Sequence, residues 1–106
     1  MKRLYVAFAL SLLIFASCSS TKKLARANAV QDGKSFETAV VITETHERQG
    51  VDAEYAWIKV KYPGAKTQGQ ALSSHEKKPY DIIHIITADG AKLDVYFDIS
   101  SFFGKF

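Results

Sequence analysis

The chain has 106 residues, 14 Lys and Arg against 11 Asp and Glu, a net charge of +3, and one cysteine. That length holds a single domain, and a lone cysteine excludes an intramolecular disulfide. From Ser35 onward 8 basic residues face 10 acidic ones, a balance of about −2, so the folded part lacks the clustered Lys and Arg that a nucleic-acid surface requires.

Lys2 and Arg3 open the chain, Leu4 to Ala16 is an apolar run broken only by Ser11, and the small residues Ala16 and Ser17 precede Cys18. This is the charged start, apolar middle and small-residue end of a secretory signal. A membrane-spanning helix needs about 20 apolar residues, so the run predicts a cleaved signal over residues 1–17 and not a retained span. Phe15, Ala16, Ser17 and Cys18 resemble the lipobox of bacterial lipoproteins, with Phe15 where the family prefers Leu. The resemblance covers the processing segment alone. It implies that Cys18 is lipidated, as a diacylglyceryl thioether with an acylated amine carrying palmitate-type chains, and becomes the first residue of the mature protein. One acyl chain binds a bilayer marginally, at about 0.8 kcal/mol per buried methylene, and two or more hold firmly. The resemblance therefore implies a membrane-anchored protein of the bacterial cell envelope. Ser19 and Ser20 stand where many inner-membrane lipoproteins carry aspartate, which points to the outer membrane.

Residues 18–34 read as a flexible basic tether. Lys22, Lys23, Arg26 and Lys34 face only Asp32, a local +3, and Leu24 and Val30 are too sparse to bury a face. The basic residues either rest on anionic headgroups, at roughly 1 kcal/mol each, or simply keep the spacer soluble. Gly33, Lys34 and Ser35 match the end of a phosphate-binding loop, but Asn28 replaces its first glycine and no strand precedes it. No nucleotide site is expected there.

The domain is expected over residues 35–106. Ser35 to Ile42, with Phe36, Thr38, Val40 and Ile42 alternating, predicts a first strand, and Thr43 to Gly50 a polar loop. Asp52 can cap a helix, with Val51 as its staple. Val51, Tyr55, Ile58 and Tyr62 then share one face until Pro63 and Gly64 stop the helix, and Trp57 beside them reads as core or rim packing. A strand follows around Lys66 to Ser74. Tyr80 to Ala88 and Ala91 to Ser100 flank Asp89 and Gly90, the pair favoured by a two-residue type I′ turn. That turn sets Ile86 opposite Leu93, His84 opposite Val95, Ile82 opposite Phe97 and Tyr80 opposite Ile99, the face expected beneath the helix. The aromatic ending reads as core closure, with Phe102 or Phe103 on the helix. The fold class is α+β: a small, mostly antiparallel sheet in the order β-α-β-β-β, packed by one helix.

Candidate chemistry is sparse. His46, His75 and His84 have no metal-ligand spacing, and His84 and Asp81, three apart in a strand, point to opposite faces. Ser73, Ser74 and His75 lack the glycine-flanked turn of a nucleophile. The expected register opposes Asp81 and Asp98, with Asp94 further along the same face. Such like charges are screened by solvent and a lysine, or the register differs, or the three hold a cation such as calcium. With no nucleophile, base or metal set assembled, the reading is a non-catalytic domain without cofactor that presents a sheet face or edge to an envelope protein, strand addition at an exposed edge being the natural contact mode for so small a sheet. The alternative is a small-ligand or cation binder using Asp81, Asp94, Tyr96 and Asp98.

Overall fold

The computed structural model describes residues 30–106. The expected signal, Cys18 and the tether as far as Ala29 lie outside the described residues. The domain comprises β1 (Val40–Val41), α1 (Glu47–Lys61), β2 (Lys66–His75), β3 (Lys78–Ile86) and β4 (Lys92–Asp98). The four strands form one sheet in the order β1-β4-β3-β2, antiparallel except where β1 runs parallel to β4. It is the small α+β fold that the sequence predicts.

The core lies between α1 and one sheet face. Val40 of β1, Ile83 and Ile85 of β3, and Val95 and Phe97 of β4 are buried there with Ile42, Ile58, Ile99 and Phe102. Each such side chain contributes roughly 1.5–3 kcal/mol relative to exposure. Trp57 meets Phe97 edge to face at 5.8 Å, as its core reading requires.

The β3–β4 register differs from the expected one by a single residue. Ile83 faces Val95, His84 faces Asp94, Ile85 faces Leu93 and Asp81 faces Phe97. A longer turn is the cause. Gly90 N–H donates to Thr87 O at 2.9 Å and Thr87 N–H to Ala91 O at 2.8 Å. Gly90 alone takes positive φ there, at +93°, as in a type I turn followed by a left-handed glycine. Thr87 Oγ1 reinforces it, donating to Asp89 and accepting from Ala91 N–H. Because side chains alternate with period two, the slip exchanges the faces of β3. Ile83, Ile85 and Asp81 go under the helix, and Ile82, His84 and Ile86 turn outward. The expected inward face of β4, with Val95, Phe97 and Ile99, is the observed one.

The two-residue left-handed turn sits instead between β2 and β3. Glu76 and Lys77 have φ of +51° and +66°, joining His75 to Lys78.

Two other elements differ from the sequence reading. The helix begins at Glu47, not after Asp52, and its N-cap residue His46 makes no side-chain cap. The C-terminal tail serves that end, with Glu47 N–H donating to Lys105 O at 2.7 Å. Gly50 therefore lies inside the helix, where a Cβ would overlap the Phe102 ring. Close packing, and not helix termination, explains that glycine. The expected first strand is reduced to two residues because the chain ahead of it turns on itself. Thr38 N–H donates to Ser35 Oγ at 3.2 Å and Gly33 N–H to Thr38 O at 2.7 Å. Gly33, with φ +75° and Val95 Cγ1 close by, is buried, and its carbonyl accepts from Tyr96 N–H at 2.7 Å. The domain thus incorporates residues assigned by sequence to the end of the tether.

Gly50→Ala is expected to destabilise the fold by about 1–3 kcal/mol through overpacking, although alanine is intrinsically the better helix former by about 1 kcal/mol; urea denaturation reads the net sign. Lys77→Gly is expected to stabilise by about 0.5–1 kcal/mol in the same assay. It relieves a left-handed conformation that costs a side-chain-bearing residue roughly 1–2 kcal/mol, less the added entropy of glycine in the unfolded chain.

Candidate functional site

The helix packs on β1, β4 and β3 and reaches β2 through the Tyr55 hydroxyl, which donates to Gln70 Oε1 at 3.1 Å, without burying any of it. No residue of β2 is buried, whereas β3 and β4 are half-buried along their length. β2 ends the sheet, so its outer backbone groups have no strand partner among the described residues. Edges of this kind are normally guarded by charge, proline or a bulge. Here Lys66 and a register irregularity between Thr67 and Gly69 guard the first part. Gln70 to Ser74 then carry no charge and no proline, and their pairing with β3 is regular.

Beside this stretch lies an apolar groove of about 500 Å³ lined by Leu72, Ser73, Ser74, Pro79, Phe103, Lys77 and Lys78. Leu72 points to the helix side of the sheet but beyond the reach of the helix, and is 61% exposed; Phe103 is 49% exposed. Phe102 closes the core, so the adjacent Phe103 is turned outward to the groove. Sequence reading assigned an exposed edge but not its position. The signal was present in β2, whose polar and small residues supply no buried face.

The opposite sheet face is capped by Phe36. Its ring stacks on His75 at 4.2 Å and meets Tyr80 and Tyr96 edge to face at 5.0 and 4.9 Å. His75 Nε2 lies 3.5 Å from Glu37 Oε2. This cluster ties the turn after Gly33 to β2, β3 and β4.

The three aspartates proposed as cation ligands are not brought together. Asp81 faces the helix side, while Asp94 and Asp98 stand on the opposite face, because the slipped register pairs Asp81 with Phe97 and Asp98 with Tyr80. Asp94 Oδ1 lies 2.6 Å from His84 Nδ1. Asp98 accepts from Ser100 N–H and Oγ at 3.0 and 2.6 Å and from Lys78 Nζ at 2.9 Å. Burial pushes the Asp98 carboxyl up, but these donors outweigh it and hold the group below the usual carboxylate range. Among the described residues no group of three or more His, Cys, Asp or Glu is placed to hold a metal, and no helix is long and apolar enough to cross a membrane. His46 is exposed at the start of α1.

The other exceptional group is Glu54, which the sequence reading passed over. It follows Gly50 by one helical turn and precedes Ile58 by another, on the face that meets the sheet, and is fully buried. Among the described residues no donor reaches either carboxyl oxygen. Its polar neighbour is the Asp81 carboxyl, itself 5% exposed. Burial, and then Asp81, push the Glu54 carboxyl up to about 10.

Comparison of the chain with family models, with characterised proteins and with solved structures finds no match.

Because the aspartates diverge, millimolar calcium is expected to leave the melting temperature of the domain unchanged in thermal scans. A rise that is lost in Asp81→Asn would contradict the observed placement.

Proposed function

We propose that the chain is the precursor of a bacterial cell-envelope lipoprotein, anchored through Cys18, whose small domain is a non-catalytic module that binds another envelope protein along β2. The carrying observation is the uncharged, uncovered edge from Gln70 to Ser74 with the Leu72 and Phe103 groove at its side. A partner strand laid antiparallel or parallel to β2 would complete its backbone hydrogen bonds, and one apolar partner side chain in the groove would select the register. Truncating such an anchor typically removes a large part of the binding energy.

The membrane location rests on the lipobox resemblance. Stable retention needs more than one acyl chain, which the processed cysteine of that family carries.

Two measurements test the reading. Mass spectrometry of the protein isolated from membranes is expected to find an acylated Cys18 as its first residue, and Cys18→Ser to abolish that species and its membrane retention. A photocrosslinker at Ser73 is expected to capture one reproducible envelope protein, whereas one at Lys59, on the outer side of α1, captures none. Leu72→Lys should suppress the Ser73 crosslink while changing stability by no more than about 0.5 kcal/mol, since the side chain is largely exposed. An unmodified N-terminus elsewhere in the chain, or crosslinking indifferent to position, would overturn it.

A further inference from the structure

We propose that the contact between α1 and the sheet is an acid-strengthened clasp, in which Glu54 enters the fold as a neutral carboxylic acid that keeps its proton and donates a hydrogen bond to Asp81, so that the domain tightens as its surroundings acidify and loosens as they become alkaline. The inference stands apart from the lipid anchor and from the β2 edge.

The geometry makes the case. Glu54 is fully buried on the helix face between Gly50 and Ile58, and neither of its oxygens receives a hydrogen bond from any donor. A carboxylate in that position would be an uncompensated charge among apolar groups, which proteins avoid by neutralising the group. The carboxyl of Asp81 can accept but has no proton of its own to offer when ionised. The hydrogen bond available to the pair is therefore one made by a protonated acid.

Among the described residues no cation forms an ion pair with Glu54. On α1 the adjacent titratable group is Tyr55, whose hydroxyl donates to Gln70 Oε1 at 3.1 Å. Burial first, and then the charges of Glu54 and Asp81, push that phenol up. β3 contributes Asp81. The helix-side positions of β4 are Leu93, Val95 and Phe97, and those of β2 from Gln70 onward are Gln70, Leu72 and Ser74. The C-terminal segment contributes Phe102. Lys78 lies on the other face with Asp98.

The direction of the pH effect follows from linkage. Glu54 ionises near 4.5 in the unfolded chain and only at about 10 in the fold. The stabilisation is complete below about 4.5 and is lost progressively as pH rises toward the folded value. Across that window one proton separates the two states, which makes the unfolding constant rise about tenfold per pH unit. Asp98 acts in the opposite sense, because its lowered folded value removes stability only as pH falls below the ordinary carboxylate range. Tyr55 adds to the alkaline loss only beyond its usual range.

The test is equilibrium urea unfolding of the full chain as isolated, in a mild non-ionic detergent, at intervals from pH 5 to pH 8. The wild-type unfolding constant is expected to climb by about tenfold per unit, while Glu54→Gln, a neutral isostere that keeps a donor toward Asp81, shows no such climb and exceeds wild type in stability at pH 8. A wild-type profile without slope, or an equal slope in Glu54→Gln, would overturn the proposal. Should that variant fail to fold, the side-chain carboxyl ¹³C resonance of Glu54 in the wild-type protein decides it: the shift of a protonated acid at pH 7 supports the clasp, and that of a carboxylate contradicts it.

Discussion

The register of the β3–β4 hairpin decides what the helix meets. A turn that takes one residue more than the tightest alternative rotates every side chain of β3 to the other face, with consequences throughout the domain. It buries Ile83 and Ile85, which are fully apolar, and sends His84 out to Asp94. It also carries Asp81 inward to lie against Glu54. The shift exchanges Tyr80 and His84 under the helix for Asp81, while two isoleucines stand there in either register, Ile83 and Ile85 in place of Ile82 and Ile86. The turn itself needs left-handed backbone only at Gly90, where the two-residue alternative would have demanded it of Asp89 as well.

The helix and the C-terminal segment after β4 approach closely at two points. Gly50 admits the Phe102 ring, and Lys105 O receives the amide of Glu47. The last residues of the chain thus both close the core and occupy the start of the helix. This leaves Phe103 and Leu72 largely exposed on the side of β2, the strand that α1 touches through the Tyr55 hydroxyl at Gln70. The exposed edge is accordingly a by-product of a single helix too narrow to cover four strands, and a partner strand is the simplest addition that would extend the sheet.

Much of this was legible in the residues. Alternation and β-branching located β3 and β4, Pro63 with Gly64 placed the helix end at Tyr62, one residue beyond the observed Lys61, and the aromatic ending supplied Phe102 to the core. What escaped was decided by tertiary contact. Gly50 reads locally as the end of a polar loop, yet it lies inside the helix, where the Phe102 ring leaves no room for a Cβ. Asp89 with Gly90 suggests the tightest hairpin, but Thr87 Oγ1 holds Asp89 and Ala91 in the wider turn. The segment after Gly33 alternates like a strand, yet its Ser35 and Thr38 bond to each other and Phe36 folds over the outer face. Glu54 on an otherwise apolar helix stripe was readable as an exception and became informative only once Asp81 was known to face it. The divergence of Asp81 from Asp94 and Asp98 has the same origin in the one-residue slip.

Cross-strand nuclear Overhauser contacts along the hairpin examine that slip most directly. The fold described above places Ile83 opposite Val95 and Ile85 opposite Leu93, so backbone contacts should link those residues. Contacts joining His84 to Val95 and Ile86 to Leu93 instead would return Asp81 to the outer face and separate it from Glu54, contradicting the account at its base.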